Sequence, residues 1–398
     1  VTAPSNSTAV LDAPSASAPA PRASARPATA LHALTLFAAA RLTGMLAVAL
    51  DSRLSGQQPF ALLGRSWDSL WYLGIAAQGY GAHTLHPGPG LVYADLAFFP
   101  LYPWLIRAVH TVLPMLGAGA CGLLVAWAAA AAAALGIHRI GLRLHGPSVA
   151  TLLVVLWGVL PHSVVLSMGY TEPVLTAFAA WSLYAVLTRR WLWAGTLAAL
   201  AGLARPNGFA VAAAVLVTAG WEIVRRRGRV PHRLWTGALL APAGWAAYVL
   251  WVGIRKGDPL GGYFAVQRGW GSTFDFGLGS ARFTKKMLLR GDVFIFPVAL
   301  GIVAVAVLLY ALLLLDRAPL PLLAYSGVLL LIAVCGSGFF ESKPRFLLPA
   351  FPLLLPLACA LARTARTRPA HALLVVGALA GLSVSYGAYL LVHAGRPL

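Results

Sequence analysis

Long apolar runs follow one another along most of this chain, separated by short stretches where charge, proline and glycine gather. A run of about 20 residues crosses a hydrocarbon core of about 30 Å as a helix, with its backbone N–H and C=O groups paired inside the segment. The pattern predicts spans at about 31–50, 114–137, 147–166, 173–188, 191–204, 208–224, 234–254, 292–315, 318–336, 345–362 and 370–391, eleven in all. The fifth is short, as expected of a helix that stops early to leave room. Residues 51–100 are too polar to lie in lipid, and 51–113 form a large first outer loop. Within it the stretch from Phe98 to Leu113 is interrupted by Arg107 and His110, and reads as a helix lying along the membrane surface. Residues 1–30 are rich in Ala, Ser and Pro, and read as a disordered cytoplasmic tail rather than a signal peptide. Residues 31–398 then form one all-α, polytopic membrane domain.

Composition agrees with the spans. The chain is 59% hydrophobic and only 10% charged, against about 25% charged in soluble domains. Its net charge of +19 would suit a nucleic-acid partner, but the basic residues sit in short clusters between apolar runs, so membrane lipids are the expected surroundings. Cys121, Cys335 and Cys359 have no paired or metal-like spacing and read as packing residues. No βαβ pattern or Gly-rich phosphate loop signals a nucleotide site.

Charge also orients the chain. If the spans alternate from a cytoplasmic N-terminus, the loops after even-numbered spans hold thirteen arginines and one acid, Asp316, with Glu222 at a span's end. The loops after odd-numbered spans hold Asp51, Asp68, Asp95, Glu172, Asp258, Asp275, Asp292 and Glu341, eight of the eleven acids. Basic inside loops fit the positive-inside rule. Acids contribute little to insertion, so their segregation points separately to a polar site on the extracytoplasmic face.

Three short breaks fall on that same face: Tyr170-Thr-Glu-Pro173, Arg205-Pro-Asn-Gly208 and Glu341-Ser-Lys-Pro-Arg-Phe346. Irregular backbone at membrane depth is tolerated where it is buried in protein or lines a cavity. Arg205, Arg345 and Lys343, with Arg268 from the long outer loop, are candidates to bind a phosphate, for which arginine offers a two-pronged fork. Glu172, Asn207 and Tyr170 are candidate partners for sugar hydroxyls or for those arginines, and His162, after Pro161, could line the cavity. In the first loop Asp68 stands among Trp67, Trp71 and Tyr72. It is a candidate general base for a hydroxyl, beside aromatics that could stack on a sugar; the competing role is capping a helix over 69–78. Asp95 reads as a turn residue or a supporting substrate ligand. No Asp-x-Asp pair or His cluster supplies an evident metal site; no structural metal is expected, and a divalent cation stays open as a cofactor.

Trp67-Asp68 with Tyr72, Ile75-Ala76 and Gly79-Tyr80, then Ala97-Phe-Phe-Pro-Leu-Tyr-Pro103, Tyr170-Thr-Glu-Pro173, Arg205-Pro-Asn-Gly208 and Lys343-Pro-Arg-Phe-Leu347 together resemble the PIG-V-like family. Its eukaryotic members are GPI mannosyltransferase 2, and the Ala, Arg, Gly and Pro usage fits a bacterial member. The resemblance runs colinearly from about residue 31 to 362. It implies a GT-C-type glycosyltransferase that takes mannose from polyprenyl-phosphate-mannose on the outer face and passes it, with inversion, to a hydroxyl of a lipid-linked glycan. Asp68 occupies the position of the family's catalytic acid in the first outer loop. Another sugar, a protein acceptor and a membrane partner subunit remain compatible with these motifs. A reading of another class is a lipid or solute transporter, with Asp68, Glu172 and Glu341 as ion-coupling carboxylates.

Overall fold

The structure, a computed structural model, describes residues 26–290 and 293–395. Most of the expected tail, and Asp292, lie outside the described residues. The first helix, α1 (Arg26–Leu54), is longer than its expected span, so Asp51 falls in its last turns rather than in the loop. The first loop then folds into α2 (Pro59–Gly64), α3 (Asp68–Gln78), a hairpin of β1 (Thr84–Gly88) and β2 (Leu91–Ala94), and α4 (Leu101–Val112). The hairpin was not expected: its strands are too short to show a period of two. Leu85 pairs with Tyr93, and the chain reverses through Pro89 and Gly90, whose φ of +75° lies in the left-handed region. The helix expected along the surface is present as α4.

The remaining helices are α5 (Ala118–His145), α6 (Pro147–Gly158), α7 (Glu172–Leu187), α8 (Trp191–Ala204), α9 (Phe209–Arg225), α10 (His232–Leu240), α11 (Ala243–Arg255), α12 (Gly262–Gly269), α13 (Leu278–Arg290), α14 (Ile295–Leu315), α15 (Leu320–Cys335), α16 (Lys343–Leu347), α17 (Leu355–Thr367) and α18 (Pro369–Ala388). The described residues are 78% helical. Every expected span corresponds to helix, but the spans are not equivalent. Among the described residues six helical segments are long and apolar enough to cross a membrane unaided, α10 and α11 counting as one, while α6, α7, α8 and α15 are shorter. The tenth span is bent by 75° between Phe340–Leu347 and Phe351–Thr367. The bends follow proline. Pro161 ends the third span's helix early, Pro242 divides α10 from α11, and Pro349 and Pro352 lie in the bend, because proline lacks the N–H and crowds the preceding turn.

Small residues bring these helices close, as suits helices that gain no hydrophobic advantage over lipid by touching each other. α5 lies against α7 and α7 against α8, and Ala130, Ala133, Ala134, Ala179, Ala180, Ala194 and Ala198 on these helices are all buried. A Cβ added at Gly136 of α5 would come 2.8 Å from that of Ala180 on α7. Because α7 starts at Glu172 and is followed by Arg189, it carries one charge cluster at each end, about 24 Å apart at 1.5 Å per residue.

Candidate active site

The connections after the first, third, fifth, seventh and ninth spans meet at one end of the bundle. Four of them line a single cavity of about 960 Å³: the first loop from Trp67 to Phe99, the Arg205-Pro-Asn break, α12 with the segment to Phe274, and the stretch from Ile332 to Phe346. The third connection, Tyr170-Thr-Glu, lies just behind and holds the cavity's arginines. The volume is at the upper end of the usual range for small-molecule sites.

Asp68 is the first residue of α3 and faces the cavity; the helix has no side-chain cap. Its carboxylate does not take the competing role of helix cap but accepts a hydrogen bond from Arg345 Nη1 at 2.7 Å. Arg345 in turn places Nε 3.3 Å from Glu172 Oε1, and the same oxygen pairs with Arg205 Nη1. Arg205 Nη1 also donates to Thr171 Oγ1 at 2.9 Å, and that hydroxyl lies 3.1 Å from the Tyr72 hydroxyl. Two acids and two arginines therefore form one chain of contacts, formally neutral. Glu172 is its buried centre at 1% exposure, whereas the Asp68 side chain is 18% exposed toward the cavity. Burial pushes the Tyr72 phenol well above its ordinary range, so it acts there as a neutral hydroxyl.

Local structure holds this geometry in place. Trp67, just before Asp68, has φ +47° and ψ −113°, a conformation a residue with a Cβ rarely adopts. Phe339, ahead of Lys343 and Arg345, is left-handed at φ +41°. Both line the cavity, and backbone strain of this kind persists where surrounding structure enforces it. The far end of α3 is held by Arg107 of α4, which donates to the carbonyls of Ala76 at 2.7 Å and Ala77 at 3.1 Å. Lys343 donates to Ser280 Oγ at 2.5 Å and to the carbonyls of Ala333 and Gly336, so its ammonium anchors the strap beside the cavity as well as lining it.

An aromatic wall lines the same cavity. Trp71 stacks on Phe98 at 5.5 Å and meets Trp270 edge-on at 5.1 Å, while Tyr93 stacks on Trp270 at 4.2 Å. Trp270 is fixed by a hydrogen bond from Nε1 to the Ala94 carbonyl. Such a wall suits the apolar face of a sugar ring or an isoprenoid chain.

Of the residues expected at the site, Asp68, Trp67, Trp71, Tyr72, Arg205, Asn207, Arg268, Lys343 and Arg345 line the cavity. Arg268 is exposed at its rim, and Asn207 has no hydrogen-bonding side-chain partner among the described residues. Four others do not reach it. Glu172 and Tyr170 lie behind, the Tyr170 ring 5.2 Å beneath the Arg345 guanidinium. His162 is buried and packs edge-on against Tyr386, because the early end of α6 turns it into the core. Asp95 is 1% exposed and accepts backbone N–H groups of Gly81 at 2.7 Å and His83 at 3.4 Å, which ties the hairpin to α3. Sequence reasoning missed Thr171, although it stands inside a motif singled out, and the wall residues Tyr93, Phe98 and Trp270, whose partners are up to about 200 positions away.

A divalent cation does not fit the residues present. Asp68 is the one carboxylate among those that line the cavity, it is already bound to Arg345, and no three His, Cys, Asp or Glu side chains converge among the described residues.

The fold is that of the GT-C membrane glycosyltransferases, and the chain is a multi-pass membrane protein. Solved structures of the oligosaccharyltransferase from Archaeoglobus fulgidus share it at low identity. The apo form matches with a TM-score of 0.53 at 15% identity over 92% of this chain and 56% of that one. Its complex with an inhibitory peptide and a dolichol-phosphate matches at 0.55 and 13% over the same shares. A complex with Zn and sulfate matches at 0.50 and 15%, over 90% and 54%. This chain thus spans little more than half the length of that enzyme. No family model and no curated protein matches the sequence.

Proposed function

We propose that this protein is a glycosyltransferase that takes a sugar from a lipid-phosphate donor and passes it, with inversion, to a nucleophile on an acceptor. The observation that carries this reading is Asp68 facing a cavity that two arginines and an aromatic wall also line. In the step we infer, Asp68 takes the proton of an acceptor hydroxyl as its oxygen bonds to the anomeric carbon. The bond from that carbon to the phosphate oxygen breaks, and its electron pair leaves with the polyprenyl phosphate. The phosphate goes from one negative charge to two, beside Arg345 and Arg205, which stabilise what develops in the transition state. The lipid chain can stay between helices while its headgroup enters the cavity.

The site is assigned to the extracytoplasmic face by the positive-inside rule, since the opposite end carries the arginine clusters. Mannose as the sugar rests on the resemblance of the motifs. The structural neighbours favour the wider reading, a GT-C transferase with another sugar or a protein acceptor, because the archaeal enzyme is an oligosaccharyltransferase seen with dolichol-phosphate and with a peptide. The transporter reading is disfavoured by the state of the acids: Asp68 and Glu172 are both bound to arginine at loop ends.

The test is transfer from radiolabelled polyprenyl-phosphate-mannose, and from other polyprenyl-phosphate sugars, in membranes holding the wild type or Asp68→Asn, with and without EDTA. Loss of about 10²–10⁴-fold is expected in Asp68→Asn, with no effect of EDTA. Wild-type rates in that variant would remove Asp68 as the base, and the absence of transfer from every donor by the wild type would sink the enzyme reading.

A further inference from the structure

The quartet of charges contains one contact that the proposed reaction cannot tolerate throughout its course. Asp68 and the donor phosphate both require Arg345. Asp68 Oδ2 occupies Arg345 Nη1 at 2.7 Å, so the same guanidinium N–H cannot also serve a phosphate oxygen while that contact stands. The two acids that bind Arg345 are not alike. Glu172 is 1% exposed, grips Arg205 as well, and is shut off from the cavity by the arginines themselves. Asp68 is 18% exposed and lines the cavity, at the first position of a short helix beside a strained tryptophan. An anion arriving from the cavity meets the Asp68 side of the guanidinium and cannot reach the Glu172 side.

We propose that Arg345 exchanges partners during each turnover: the donor's phosphate displaces Asp68 from the guanidinium, while Glu172 keeps its hold. This rests on the lipid-phosphate donor proposed above. Donor binding then frees the base that the reaction needs, and the carboxylate stays neutralised until the donor is present. After transfer the proton is on Asp68, which has lost its attraction for Arg345, so the doubly charged lipid phosphate stays bound. When Asp68 gives that proton to water, its carboxylate reclaims Arg345 and expels the product. One ion pair thereby couples donor entry, base activation and product release.

The exchange makes a prediction opposite in sign to that of an ordinary binding residue: removing Asp68 strengthens phosphate binding. The probe is farnesyl phosphate, with farnesol as the control that lacks the phosphate, measured by equilibrium binding to the full chain in nanodiscs. Asp68→Asn is compared with Asp68→Ala, because an asparagine oxygen can still accept from Arg345 whereas alanine cannot. Farnesyl phosphate should bind on the order of tenfold more tightly to Asp68→Ala than to the wild type, with Asp68→Asn between or equal, and farnesol unchanged in both. Unchanged or weaker farnesyl phosphate binding in both variants overturns the exchange. If the wild type prefers farnesyl phosphate no more than farnesol, the lipid-phosphate reading itself is lost, and the exchange with it. A tightening that farnesol shares equally also counts against it, since the change would then lie in the cavity's shape.

Discussion

Two glutamates in this molecule each stand between two arginines, and they differ in almost everything else. Glu172, at the start of α7, joins Arg205 and Arg345, and all three side chains are at most 9% exposed. Glu222, on α9, joins Arg189, which follows the end of α7, and Arg226, whose side chains are 62% and 41% exposed. The Glu222 pairs are short, at 3.2 and 2.9 Å, yet water and salt screen them and the arginines lose freedom in making them. The Glu172 pairs have given up hydration, so each member depends on the others to avoid a bare buried charge. Equal contact geometry therefore does not mean equal importance. The screened cluster can be altered cheaply and belongs to the face read as cytoplasmic, while the buried one holds two cations in a fixed spacing beside a cavity.

The comparison yields an ordered set of outcomes. Glu172→Gln should cost about 3–5 kcal/mol, because two buried arginines lose most of their compensation. Thermal unfolding in detergent would measure it, and a loss below about 1 kcal/mol would show that the burial of this cluster is not what maintains it. Asp95→Ala tests an acid that is buried but has only backbone partners. It should cost about 1–3 kcal/mol by leaving N–H groups of Gly81 and His83 without an acceptor, and should keep most of the transfer rate. Activity lost well beyond what the stability change accounts for would give Asp95 a part in substrate binding. Glu222→Gln should change stability by about 1 kcal/mol or less and leave transfer unaffected, with the remaining difference fading as salt is raised. A cost as large as that of Glu172→Gln would erase the distinction between the ends.

Much of this was readable in the chain itself. Hydrophobic run length is a local property, so a helix could be placed under each apolar run, six of the helical segments being long and apolar enough to cross a membrane unaided, and the segregation of acids from arginines separated the two ends. The motifs also singled out Asp68, Arg205 and Arg345, which the fold brings together, because charged residues at helix breaks are rare in so apolar a sequence. Less was readable where the backbone departs from the apolar pattern. The early stop of α6 that turns His162 inward, the hairpin that takes up Asp95, and the 75° bend in the tenth span depend on proline positions and short-range hydrogen bonds that the run length does not report.

Which charges touch was decided by tertiary structure alone. Asp68 and Arg345 are 277 residues apart, and nothing near either one indicates the other as its partner. A span fixes only that the chain changes sides. The lateral order of the helices follows from small residues such as Gly136 and Ala180 meeting closely, and that packing brings separate loop ends to one point. In that arrangement Asp68 became a carboxylate on an arginine rather than a helix cap, and Glu172 a support behind the cavity rather than part of its wall. Local sequence sets what each segment must do in a bilayer; only the packed bundle sets the distance between two charges, and that distance determines their chemistry.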